Sequence, residues 1–118
     1  MRFILKRAYD AASPQDGYRV LVDRLWPRGI KKQDLPYDEW PKVLCPSPKL
    51  RQWFGHDPKR WQTFAHAYEL ELEGQRAEVE SFLLRCHKHK RVSLVYAAKD
   101  PHHNHARVLK MHLEKIIH

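Results

Sequence analysis

Glycine is scarce in this chain, four among 118 residues. No glycine-rich loop follows a hydrophobic run, so the phosphate-cradling loops of P-loop and dinucleotide-binding proteins are excluded and no cofactor loop is visible. The two cysteines, Cys45 and Cys86, stand alone and far apart. Without a CxxC pair or a disulfide framework, reduced intracellular thiols are the simplest reading. No hydrophobic run approaches membrane-spanning length, and Met1–Arg7 meets charge after three apolar residues, too soon for a signal peptide's core. The cytoplasm is the expected location, with no membrane partner. Neither HExxH nor a closed Cys/His spacing occurs, so no metal ligand set is assigned.

What is present is basic and aromatic. Lys and Arg number 22 against 14 Asp and Glu, a formal charge of +8, which favours an anionic small molecule or nucleic acid as partner. Four tryptophans, five tyrosines, four phenylalanines and a hydrophobic fraction of 42% fit a globular chain. Its length fits one domain over residues 1–118.

Residues 2–9 predict a first strand, Ser13–Gly17 a turn and Tyr18–Leu25 a second strand. The short connection allows an antiparallel hairpin, whereas a parallel pair calls for a longer crossover. Five prolines between Pro27 and Pro48 argue for an ordered loop, with at most one helical turn or a short edge strand near Trp40–Leu44. Ser47-Pro48 and Gly55 bracket a short helix, Pro48–Phe54. Asp57-Pro58 opens another, with Trp61, Phe64, Ala65, Tyr68 and Leu72 on one face and Gly74 at its end. Val79, Phe82, Leu83 and Cys86 mark a third. Arg91–Ala98 is the last strand, backed by a final helix carrying Ala106, Leu109, Leu113 and Ile116. The expected fold class is α/β: a small single domain with a three- to four-stranded, mostly parallel sheet and about four helices. The last strand is placed beside the second by a helical crossover.

Two sets of residues carry chemistry at the strand ends. Asp23, Arg24, Trp26, Arg28 and Gly29 follow the second strand: the arginines suit phosphate or carboxylate, Trp26 suits stacking, and Gly29 permits close backbone approach. Tyr96, Lys99, Asp100, Asn104 and His105 span the last strand's end and the last helix's start. There Tyr96 is a second stacking candidate, and Lys99, Asp100 and His105 offer a cation, a base and a proton carrier. If the two strands are neighbours, both sets share one crevice, and Arg51 and His56 reach over it from the side. The bland alternatives are an Asp23–arginine ion pair, a core Trp26, and Asp100 or Asn104 as a helix cap.

Arg51, Trp53, His56, Asp57 and Arg60 form a basic helix–turn–helix shape, though Trp53, Phe54 and Trp61 read better as core and Asp57 as a cap. His87, His89, His102, His103, His105 and His112 make a histidine-rich C-terminal third without metal-site spacing.

Three stretches carry a family resemblance: Asp23-Arg24-Leu25-Trp26-Pro27-Arg28-Gly29, the run from Leu50 to Trp61, and Leu94–Asp100 followed by Asn104-His105-Ala106. In that order the chain resembles the YeaO-like bacterial family, catalogued as domain of unknown function 488. Two departures are Cys45, where a small residue such as alanine is expected, and the additional His102-His103. The resemblance implies a small bacterial α/β protein and carries no activity with it.

The leading expectation is therefore a crevice for a phosphate-bearing nucleotide or nucleic-acid-linked nucleoside, with hydrolysis or group transfer by Asp23 or Asp100 assisted by Lys99. The alternatives are a non-enzymatic nucleic-acid-binding module and a histidine-dependent metal- or haem-binding protein.

Overall fold

In the computed structural model, which describes residues 1–117, three strands form one sheet: β1 (Arg2–Arg7), β2 (Tyr18–Leu21) and β3 (Arg91–Tyr96). The order is β1-β3-β2, and both pairings are parallel, with Leu5 opposite Leu94 and Val20 also opposite Leu94. The last strand thus lies beside the second, as the crevice requires. No hairpin forms between β1 and β2, because β3 lies between them. Residues 8–17 make the return through a turn after β1 and a 3-10 turn, Pro14–Asp16, capped by Ser13. Ten residues have the reach to re-cross a six-residue strand without an α-helix, since extended chain spans about 3.3–3.6 Å per residue.

Alternation along the strands sets the two faces. Phe3, Val20, Val22, Val92, Leu94 and Tyr96 point into the main core. There they meet α1 (Pro48–Phe54), α2 (Trp61–Gly74), α3 (Arg76–Cys86) and α4 (His105–Ile117), through Phe54, Phe64, Tyr68, Phe82 and Leu109 among others. The opposite face carries Leu21 and Val95, and the proline-rich segment covers it with Leu35, Trp26, Ile30 and Trp40. That segment holds two 3-10 turns, Lys32–Asp34 and Lys42–Leu44, and a parallel bridge from Glu39 to Val20.

All three strands end earlier than the hydrophobic pattern indicates, β2 by four residues. Val22 still donates its N–H to Val95. At Asp23 the side chain, not the backbone, meets the neighbouring strand end, and the ladder stops there. Helix α1 has the expected bounds: Ser47 Oγ accepts the Leu50 N–H at 3.2 Å, and Gly55 closes the helix in the left-handed region. Asp57 caps a 3-10 turn, Pro58–Arg60, before α2 begins at Trp61. Among the described residues no helix is long and apolar enough to cross a membrane.

Candidate functional site

A cleft of about 670 Å³ opens at the C-terminal ends of the strands. This is where ligands bind in open α/β sheets, because the loops that leave the strands there converge. Residues 23–28 form one wall, Ala97–Asp100 with Asn104 and His105 the second, and Arg51, Phe54 and His56 the third.

At the junction of the first two walls, Asp23 Oδ2 accepts the Ala97 N–H at 3.2 Å. His105 Nε2 lies 2.9 Å from Asp23 Oδ1 and 3.0 Å from the Val22 carbonyl. Both neighbours are acceptors, so Nε2 carries a proton. That N–H is aimed at the carbonyl, and Asp23 Oδ1 is buried beside the ring without a hydrogen bond of its own among the described residues. His105 is the first residue of α4, so the helix start fixes the imidazole and Asp23 fixes the strand end.

Four cationic side chains line the same cleft: Arg24, Arg28, Arg51 and Lys99. Arg24 is half-buried, and it donates from Nε to the Pro46 carbonyl at 3.0 Å and from Nη2 to Cys45 at 3.2 Å. Its other N–H groups make no hydrogen bond among the described residues. Arg51 is also half-buried, and its Nε is out of solvent with no hydrogen-bond partner among the described residues. A buried guanidinium N–H without an acceptor is costly unless something supplies one. Arg28 and Lys99 stand exposed on the rim.

Several residues assigned to the site do other work. Tyr96 is 7% exposed and points into the main core, so it does not line the cleft; its position on the pleat puts it on the helix side. Gly29 also lies outside the cleft lining and forms a turn at φ 81°. Trp26 lines the cleft, but its Nε1 donates to Ile30 and its ring packs edge-on against Tyr37 and Trp40. Asn104 caps α4, accepting the Arg107 N–H at 3.1 Å and donating to the Asp100 carbonyl at 2.9 Å. Asp100 accepts the N–H groups of His102 and His103 and lies 2.8 Å from His103 Nδ1. The His102 N–H, followed by the His103 side chain, holds its carboxyl down to about 2. A carboxylate that acidic is a poor general base near neutral pH.

Trp53 departs from its core assignment: it is exposed, with the Arg60 guanidinium over its ring at 5.0 Å. Phe54 and Trp61 do pack in or against the core. Among the described residues no three His, Cys, Asp or Glu side chains gather as a metal site. His103 packs edge-on against Trp61, and His89 stacks on Tyr18. Sequence reasoning missed Tyr9, Leu25, Pro46, Phe54 and Phe64 as lining residues. Tyr9 follows the end of β1, and the rule applied to the other two strands finds it. Phe54 and Phe64 carry no such signal, since helix periodicity alone assigns them to the core.

A family model described as "Inactive DUF488-N3 subclade" matches residues 2–118. The chain is 46% identical over 109 residues to the uncharacterised protein YeaO of Escherichia coli K12, covering 92% of this chain and 94% of that one. It is 40% identical over 108 residues to an uncharacterised protein of Mycobacterium tuberculosis H37Rv, covering 92% of this chain and 90% of the relative. A Mycobacterium bovis protein matches at the same level. No solved structure matches the chain.

Proposed function

The chain belongs to the inactive DUF488-N3 subclade, and from that footing we propose that it binds a phosphate-bearing anion, a nucleotide or nucleic-acid-linked nucleoside, in the strand-end cleft without turning it over. The observation that carries this reading is the convergence of Arg24, Arg28, Arg51 and Lys99 on one cleft whose carboxylates are Asp23 and Asp100. Arginine presents a planar fork of donors to phosphate oxygens, and the unpaired Arg51 Nε is such a donor awaiting an acceptor. The family's description as inactive, and the use of Asp100 as a turn-forming carboxylate, favour binding over turnover.

Hydrolysis or group transfer is the second reading, favoured by the Asp23–His105 pair. Incubation with nucleotides separates the two: release of phosphate or nucleoside that disappears in His105→Ala supports turnover.

Calorimetric titration with nucleoside monophosphates at low salt tests the binding reading. Arg51→Gln and Arg28→Ala are expected to weaken affinity about tenfold or more each while leaving the fold intact, the loss of one charge-assisted contact. Unchanged affinity in both would refute the site. A nucleic-acid module using the whole basic surface would instead show affinity that falls steeply with salt and losses spread over many Lys and Arg substitutions.

A further inference from the structure

Resting on the anion-binding reading, we infer the chemical class of the ligand: a flat aromatic group joined to a single phosphate through a linker with few hydroxyls, as in a deoxynucleoside monophosphate. Charge sets the first part. Four cationic side chains face two carboxylates in the cleft, leaving a balance that suits the −1.5 to −2 charge of one phosphate monoester. Volume sets the second. About 670 Å³ is the size of a pocket for a whole small molecule and far exceeds what a bare oxyanion fills.

The neutral part of the lining decides the rest. Leu25, Pro27, Pro46, Phe54 and Phe64 supply an apolar surface, and among the described residues no Ser, Thr or Gln faces the cleft. The neutral hydroxyl, indole and amide groups that do line it already make hydrogen bonds. Tyr9 donates its hydroxyl to the Arg28 carbonyl at 2.7 Å, Trp26 donates its N–H to Ile30, and both ends of the Asn104 amide serve the cap of α4. A sugar phosphate seated here would find only the charged side chains as partners for its several hydroxyls, and these are the groups that hold the phosphate, so hydroxyls left over would each be buried at a cost comparable to a lost hydrogen bond. An aromatic ring would bury apolar surface against Leu25 and the phenylalanines, with the His56 imidazole beside it for its heteroatoms. Leu25 is the informative residue: it is 58% exposed at the mouth, where a large aliphatic side chain contributes little to the fold and much to a ligand laid across it.

The test titrates the full chain with deoxyadenosine monophosphate, glucose 6-phosphate and inorganic phosphate, and repeats the series with Leu25→Ser. The nucleotide is expected to bind about tenfold or more tighter than either other probe, the scale of discrimination that apolar contacts provide. Leu25→Ser is expected to remove most of that advantage and leave inorganic phosphate unchanged. Glucose 6-phosphate binding as tightly as the nucleotide, or Leu25→Ser weakening all three alike, would overturn the class assignment while leaving the anion site standing. Failure of every probe to bind would overturn the anion reading and this inference with it.

Discussion

Arg24 shows how one side chain is divided between fold and site. Its Nε and Nη2 hold the Pro46 and Cys45 carbonyls, which ties the end of β2 to the loop that leads into α1. Cys45 reinforces the same junction: its Sγ donates to the Val22 carbonyl at 2.9 Å. Burial, with the Asp23 carboxylate nearby, pushes that thiol up to about 12, and burial pushes Cys86 up to about 12 as well. Neither is a thiolate at ordinary pH, so neither is poised as a nucleophile. A thiol reagent applied to the native protein at pH 8 is expected to modify neither cysteine within the time it takes to label both in denaturant. Rapid labelling of the native protein would contradict this. At this scale the charges were the legible part: Asp23, Arg24, Arg28, Lys99 and His105 all reach the cleft. The aromatic assignments were less so, because Trp26 and Tyr96 have their direction set by packing on opposite faces of the sheet.

Short elements in this fold depend on their ends. Helix α1 has seven residues, too few to persist alone, and Ser47 secures its start twice over. Its Oγ accepts from Leu50 and donates to Glu71 Oε2 at 2.7 Å, while its N–H donates to Glu71 Oε1 at 2.9 Å. Ser47→Ala is expected to destabilise the protein by about 1–2 kcal/mol, read by urea denaturation. Because α1 carries Arg51, the same change should also weaken nucleotide affinity; a stability loss alone would argue that α1 does not build the site. The cap, proline and glycine signals of α1 were legible because they are local. The end of β2 was not, since it depends on where β3 ends and on Asp23 bonding to the Ala97 N–H.

For the whole molecule, the second face of the sheet is held by charge as well as by apolar contact. Asp16, in the return from β1 to β2, is 4% exposed; Lys6 Nζ lies 3.3 Å from its Oδ1, and the Arg19 guanidinium bonds to its Oδ2. Ser93 donates its hydroxyl to the Asp16 carbonyl at 2.6 Å. Burial raises the Asp16 carboxyl, but the Ser13 N–H, Lys6 and Arg19 together outweigh it and the net shift is downward. A carboxyl lowered on folding stabilises the native state above its unfolded value, roughly pH 4, and that stability is lost as pH falls through the folded value. Asp16→Asn is therefore expected to lower Tm at pH 7, with the gap to the parent narrowing as both are acidified below about pH 4. A gap independent of pH would assign the loss to packing. The chain by itself determined its α/β class, its helices, its net charge and the residues available at the strand ends, because periodicity, capping and composition are properties of neighbours in sequence. Only the tertiary structure decided that β3 lies between β1 and β2, that Arg51 and Phe54 form a third wall, and which side chains remain free. Those outcomes depend on which distant groups satisfy one another's hydrogen bonds and apolar surface, and no local pattern records that.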